Sequence, residues 1–128
     1  MTTDAQIITS VLTGDGSAFA ALVDRYLAMV RALCASHVRD TSVHDDLVQE
    51  TFTNSYLKLA SLRKPDRFGP WLATIARNTC VTWLRKESRR IRTQDAVAAS
   101  ASAATPHPVE SSVREELYQF VQEEIAHL

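Results

Sequence analysis

The chain has 128 residues and a mass of 14.2 kDa, which is enough for one small domain with an arm or for two very small domains. Hydrophobic residues make up 45% and charged residues 23%, a composition that fits a globular protein and excludes collagen-like and disordered chains, while the apolar runs are too short to span a bilayer. The formal net charge is −1, but residues 58–92 carry ten Lys or Arg against two acids (+8), between an acidic start (−4 over 1–57) and an acidic end (−5 over 93–128).

The first two predicted elements are helices. Asp4 can cap a short helix over about residues 4–13, which Gly14 ends, and Ser17 can cap a second helix near 17–38. Apolar side chains recur in this second helix at three- and four-residue spacing, which is the pattern of one buried stripe. The stripe consists of Phe19, Leu22, Val23, Tyr26, Leu27, Val30, Leu33 and Cys34.

Two more helices are predicted around a short basic loop. Ser42 and Asp45 have the spacing of a capping box for a third helix, which continues to about residue 62. Residues 63–67 form the loop, and Asp66 can cap a fourth helix whose apolar pattern runs from Trp71 to about Arg92. Its inward stripe is Leu72, Ile75, Ala76, Thr79, Cys80 and Trp83. We therefore expect core packing for Trp83, and we favour packing over wedging into DNA for Trp71, which flanks the stripe.

The composition changes after residue 92. Residues 93–108 are rich in Ala, Ser and Pro with almost nothing large to bury, which predicts a flexible linker. Residues 109–128 have one apolar stripe and predict a single amphipathic helix, which needs a surface to cover it or a further domain. The expected fold class is all-α, with a compact helical domain over 1–92, the linker over 93–108 and one C-terminal helix over 109–128.

The third helix carries a polar patch. Asp46, Gln49, Glu50 and Thr53 stand at i, i+3, i+4 and i+7 and should share the face opposite the core stripe. Such a face would suit a partner with a basic helical surface, although a plain solvated face explains the same pattern.

The fourth helix and the loop before it form a basic surface. Arg63, Lys64 and Arg67 supply three cations in the loop. Arginine has forked, permanently charged donors that suit phosphate, while Asn and Thr can bond base edges or phosphates. On the helix, the residues away from the core stripe include Thr74, Arg77, Asn78, Thr82, Arg85, Arg89 and Arg92. A basic helix face beside a basic loop favours nucleic-acid binding, and we expect this surface and the acidic patch to form two oppositely charged sides of one helical domain.

Two motifs carry a family resemblance. DDLVQETF stands at Asp45–Phe52, and FGPWLATIARN stands at Phe68–Asn78. With the GDGSAF run that starts at Gly14, they closely resemble region 2 of bacterial sigma factors of the extracytoplasmic-function (ECF) type over residues 14–92. Residues 115–128 resemble the opening helix of region 4, whose helix-turn-helix is absent from this sequence.

The resemblance implies partners and roles. In the family, the DDLVQE helix docks on the β′ clamp helices of core RNA polymerase, which points to Asp46, Gln49 and Glu50, with Asp45 and Thr53 as further candidates. The following loop and helix recognise the −10 promoter element and hold the non-template strand. This implies DNA contacts by Arg63, Lys64, Arg67, Thr74, Arg77, Asn78, Thr82 and Arg85, and Arg89 continues the same basic face. Family loops accept an extruded base, but Lys64 and Pro65 depart from the small residues common there.

The expected function is therefore promoter −10 recognition, DNA opening and transcription initiation by a cytoplasmic sigma factor, with no enzymatic activity and no cofactor. An anti-sigma protein is a candidate partner, because family members are commonly held inactive by one. Cys34 and His37 are one helical turn apart, but two ligands are too few for a structural zinc site. The alternative function is a sigma-like interaction module that titrates polymerase or a regulator without binding promoter DNA.

Overall fold

The computed structural model describes residues 2–96, with side chains through residue 94. Within this range the chain forms α-helices and 3₁₀ turns and contains no β-strand, so the all-α prediction is confirmed. The four α-helices are α1 (Asp4–Leu12), α2 (Phe19–His37), α3 (His44–Leu57) and α4 (Phe68–Ala96). The 3₁₀ turns between them are Gly16–Ala18, Thr41–Val43, Leu59–Ser61 and Pro65–Arg67.

The core lies where α2, α3 and α4 contact one another, and α1 packs against α2 at its edge. Three phenylalanines, Phe19, Phe52 and Phe68, are completely buried there, one from each of the three helices. Burial of an aromatic side chain of this size contributes about 1.5–3 kcal/mol. The predicted stripe of α2 is confirmed, since every member is buried or half-buried.

Helix α1 is capped by a residue other than the predicted one. The Thr3 hydroxyl accepts a hydrogen bond from the Gln6 backbone N–H at 3.2 Å, and the Gln6 side chain accepts one from the Thr3 N–H at 2.9 Å. This is a capping box one residue earlier than expected. Asp4 is free to turn toward α2 instead, where it pairs with Arg25. Gly14 ends this region with a φ of +117°, which side-chain-bearing residues rarely adopt.

The predicted capping box at Ser42 is also wrong. Asp40 takes the capping role, because its carboxylate accepts hydrogen bonds from the Ser42 N–H at 3.0 Å and the Ser42 hydroxyl at 2.6 Å. These bonds lower the pKa of Asp40. Ser42 itself lies inside the turn that precedes α3, and α3 ends at Leu57 rather than near residue 62.

Helix α4 begins one residue after the position that a cap at Asp66 would give, and it ends later than predicted. It begins at Phe68, because Pro65–Arg67 forms a 3₁₀ turn that contains Asp66 and has no side-chain cap. It continues to Ala96, four residues past the predicted end at Arg92. Its inward stripe is confirmed by burial. The remainder of the predicted linker and the predicted helix over 109–128 lie outside the described residues.

None of the helices in the described part of the chain is long and apolar enough to cross a membrane.

Candidate functional site

The start of α3 presents an acidic surface. Asp45 and Asp46 are exposed in the first helical turn, where carboxylates interact favourably with the positive end of the helix dipole. Gln49 and Glu50 follow one turn later and are half-buried. Four of the five residues predicted to contact polymerase therefore reach the surface of the domain.

Thr53 does not belong to this surface, and its assignment there was wrong. Its side chain is completely buried, and within the described residues its hydroxyl oxygen has no hydrogen-bond partner. The physical reason is that α3 is packed against both α2 and α4, so its buried arc is wider than one stripe. Two neighbours on this arc, Thr51 and Ser55, satisfy their hydroxyls by donating to backbone carbonyls in their own helix.

Glu50 lies on the side of α3 that faces α4. It lines a groove of about 180 Å³ between α3 and α4, together with Asn78 and Thr82 from the predicted DNA face. The acidic and basic surfaces therefore adjoin along this groove. Sequence reasoning missed the other polar residues of the groove, Asn54, Lys58 and Lys86. A signal was present, because Glu50, Asn54 and Lys58 recur every four residues along α3.

The loop cations and the start of α4 line an open basin on the surface. Arg63, Lys64 and Arg67 line it together with Thr74, so the structure brings together four residues predicted to bind DNA. All four are exposed. The basin measures about 550 Å³, and its remaining lining residues are Ser61, Leu62, Pro70 and Trp71. This combination gives a largely apolar floor with cations at its edge.

Trp71 has two roles in this basin. Its ring packs on Phe68, with 5.8 Å between ring centroids, and the side chain is half-buried against the core, as the sequence predicted. The same side chain lines the basin, which the sequence analysis did not assign to it. Packing and ligand contact are therefore compatible at this position.

The outer face of α4 extends the cationic surface away from the basin. Its predicted DNA-binding residues are all exposed: Arg77, Asn78, Thr82, Arg85 and Arg89. Across residues 2–94, no carboxylate pairs with the predicted DNA-binding cations in the loop or on the helix. Arg90 differs, because its Nε donates to Glu87 at 3.1 Å, and this pairing lowers the pKa of Glu87. The unpaired cations are therefore the ones available to an anionic ligand.

The cysteines and histidines do not form a metal site in the described range, which contains no group of three or more His, Cys, Asp or Glu suited to a metal ion. Cys34 is completely buried, whereas His37 is exposed and its Nδ1 lies 2.9 Å from the Leu33 carbonyl. Burial raises the pKa of Cys34 to about 12 and also raises that of Cys80. Both thiols therefore remain protonated at neutral pH.

Comparison with known proteins identifies the family. Residues 22–90 match the model of sigma-70 region 2. The ECF RNA polymerase sigma-E factor of Haemophilus influenzae is 35% identical over 99 residues, which cover 77% of this chain and 52% of that protein. The sigma-E factor of Escherichia coli K12 is 37% identical over the same length, covering 77% and 51%. The chain thus spans about half the length of these curated relatives.

A solved structure agrees with the sequence comparison. An engineered region 2 of sigmaE, determined by NMR in complex with GTAAAA, is 37% identical and superimposes with a TM-score of 0.64, covering 70% of this chain and 93% of that one. Both the helical architecture and the quoted motifs therefore agree with the predicted resemblance. The chain belongs to the sigma-70 region 2 family of RNA polymerase sigma factors, with relatives of the extracytoplasmic-function type.

Proposed function

We propose that this chain acts in transcription initiation as the region 2 part of an ECF sigma factor. It binds core RNA polymerase through the start of α3, and it holds the unpaired non-template strand of the −10 element on the basin and the outer face of α4. The observation that carries the proposal is the basin, where three cations that pair with no carboxylate among residues 2–94 border an apolar floor that includes Trp71. The chain needs no catalytic group for this role.

The basin suits an unstacked base. Unpairing and unstacking a base costs a few kcal/mol, so a protein that opens DNA must offset that cost. Contact with an aromatic ring offsets about 1–3 kcal/mol per base, and Trp71 provides such a ring. Arg63, Lys64 and Arg67 stand where they can bind the phosphates on either side of that base.

Binding of single-stranded DNA tests this role. The probe is a fluorescein-labelled single strand that carries GTAAAA, and anisotropy is measured over a series of salt concentrations. Replacing Arg63 and Arg67 by Ala removes two phosphate contacts, so the slope of log K against log salt should fall by about 1.4, at roughly 0.7 per contact. The pair Arg77→Ala and Arg85→Ala on α4 should have an effect in the same direction.

A matched control separates site contacts from net charge. Arg31→Ala with Arg39→Ala removes two exposed cations outside the basin and outside α4. This variant should keep nearly the full slope. Equal slopes for all three double variants would contradict the assignment of the basin and of the outer face of α4.

The polymerase contact is tested at Asp46, because it is exposed whereas Glu50 is half-buried. Asp46→Lys places a cation in the acidic surface and should weaken binding to purified core polymerase about tenfold or more, since like charges across an interface cost several kcal/mol. Asp24→Lys makes the same charge change at an exposed position of α2. Undiminished binding by Asp46→Lys would remove the start of α3 from the interface.

The two assays also separate the proposal from its alternative. A sigma-like module that only titrates polymerase would be sensitive to Asp46→Lys but would show no salt-dependent binding of the oligonucleotide. Promoter recognition requires both responses from the same preparation.

A further inference from the structure

A polar cluster fastens α1 to α2. The Asp4 carboxylate accepts a hydrogen bond from Arg25 Nη1 at 2.8 Å and a second from the phenol of Tyr26. The other guanidinium nitrogen of Arg25 donates to the Thr2 carbonyl oxygen. The Asp4 side chain is only 20% exposed, so these are partly desolvated contacts, which are stronger than contacts in open water.

Tyr26 connects this cluster to the start of α4. Its ring packs on Phe68 with 5.3 Å between centroids, and Phe68 packs in turn on Trp71. Gly69 allows the close approach, because a Cβ at that position would lie 3.2 Å from the Tyr26 ring. Asp4 is therefore linked to the indole of the basin through two aromatic rings.

Helix α1 also supports the backbone around the basin. It contacts the 3₁₀ turns Leu59–Ser61 and Pro65–Arg67, which stand on either side of Arg63 and Lys64. No residue of α1 lines the basin itself. The sigma-70 region 2 family model begins at residue 22, so Asp4 lies outside the segment that this model matches.

Apolar contacts hold α1 on the domain in addition to the polar cluster. Ile7 and Ile8 of this helix are buried in the common core, with exposures of 5% and 2%. Because apolar burial holds α1 in place, the polar cluster is available to set the orientation of the rings that lead to the basin. Replacement of Asp4 should therefore give different results if Asp4 orients the rings than if it only attaches α1.

We propose that Asp4 is a positioning residue for single-stranded DNA binding, which acts through Tyr26 and Phe68 to fix the indole of Trp71 at the basin. This inference rests on the proposed function of the basin. Without the carboxylate, Tyr26 loses its anchor and the ring contacts relax, so Trp71 samples several orientations and binds a base less tightly. In the variant, binding must fix the indole in one orientation again, and the cost of ordering one side chain corresponds to a fall in affinity of roughly 3–10-fold.

The test compares Asp4→Ala with Asp24→Ala in the full chain. Both variants remove one negative charge, and Asp24 is exposed on α2, next to Arg25 in sequence. Charge loss alone should strengthen DNA binding slightly, so it acts against the expected effect. Affinity for the GTAAAA strand is measured by anisotropy, and the indole Nε1–H signal of Trp71 is followed by NMR, assigned by its loss in Trp71→Phe.

Asp4→Ala should weaken binding and shift or broaden the Trp71 signal, whereas Asp24→Ala should do neither. Asp4→Asn keeps an acceptor for the Tyr26 phenol and should give an intermediate result, a graded response that loss of fold would not produce. Tyr26→Phe provides a second route to the same loss if Asp4→Ala does not fold.

Failure of the positioning role of Asp4 can be distinguished from failure of the proposed function of the basin. If the unmodified protein binds the strand and Asp4→Ala binds it equally with an unchanged Trp71 signal, the positioning role is overturned while the function of the basin stands. If the unmodified protein does not bind the strand, the proposed function fails and the role of Asp4 falls with it.

Discussion

The acidic surface of α3 and the basin before α4 are built in different ways. Three residues of the acidic surface, Asp45, Asp46 and Gln49, belong to one helix, and the local period of that helix is enough to place them on its surface. The basin draws its lining from the turn Leu59–Ser61, the turn Pro65–Arg67, the residues between them and the first turns of α4. The acidic surface should therefore tolerate changes in the core that would distort the basin.

The strongest test of this difference is Phe68→Ala. Phe68 is completely buried and packs on both Tyr26 and Trp71, so its loss leaves a cavity under the basin. The free energy of unfolding should fall by about 3–5 kcal/mol, which is typical of large core truncations. Urea unfolding followed by far-UV circular dichroism measures the change.

The matched control is Leu57→Ala at the end of α3, where the side chain is 46% exposed. This variant should lose less than about 1 kcal/mol. If the protein retains its fold, Phe68→Ala should also weaken DNA binding more than polymerase binding. Equal losses in both assays would show that the basin and the acidic surface depend on the core to the same degree.

The sequence predicts what depends on local spacing and misses what depends on distant partners. The stripe of α2 and the inward stripe of α4 are confirmed, because burial on a helix repeats with a fixed period. The cap of α1 was misassigned since two adjacent polar residues, Thr3 and Asp4, compete for it. What decides between them is Arg25, which pairs with Asp4 from 21 residues away.

In the candidate site, too, the features set by local spacing were predicted and those set by distant partners were missed. The exposed cations and the acidic turn could be chosen residue by residue, but the groove that joins Glu50 to Asn78 requires the packing of α3 on α4. Thr53 was misassigned for this reason, because a helix covered by two neighbours has a narrower free face than one amphipathic stripe indicates.

Thr53→Val should change the free energy of unfolding less than Phe68→Ala does, and in the opposite direction. The Thr53 hydroxyl is buried without a hydrogen-bond partner among residues 2–94, so an isosteric methyl removes a desolvated polar group. The free energy of unfolding should rise by about 1 kcal/mol. Binding to core polymerase should not change, in contrast to Asp46→Lys.

Thr51→Val is the control for this change. Thr51 is equally buried, but its hydroxyl donates to the Leu47 carbonyl at 2.7 Å, so the same substitution removes a hydrogen bond that exists. It should be neutral or destabilising by up to about 1 kcal/mol. A loss of stability in Thr53→Val that matches Thr51→Val would mean that the Thr53 hydroxyl is satisfied in solution.

The smallest expected effect is a loss of stability at alkaline pH that is caused by ionisation of Tyr26. This residue lies on the side of the domain that supports the basin. Burial, assisted by the hydrogen bond to Asp4, raises the pKa of Tyr26 from 10.0 to about 12. The folded protein therefore favours the protonated phenol more than the unfolded chain does. Its contribution to stability is fully present below pH 10 and is lost as the pH rises through about 12.

Tyr26→Phe isolates this contribution, because it keeps the ring against Phe68 and removes the ionisable group. The difference in free energy of unfolding between the two proteins should be constant below pH 10. It should shrink by less than about 1 kcal/mol between pH 10 and 12, since part of the side chain is exposed to solvent and screened. Urea titrations across this range measure the difference, and absorbance at 295 nm follows the phenolate directly. Parallel stability profiles for the two proteins up to pH 12 would show that Tyr26 ionises alike in the folded and unfolded chain, and that Asp4 does not hold its phenol.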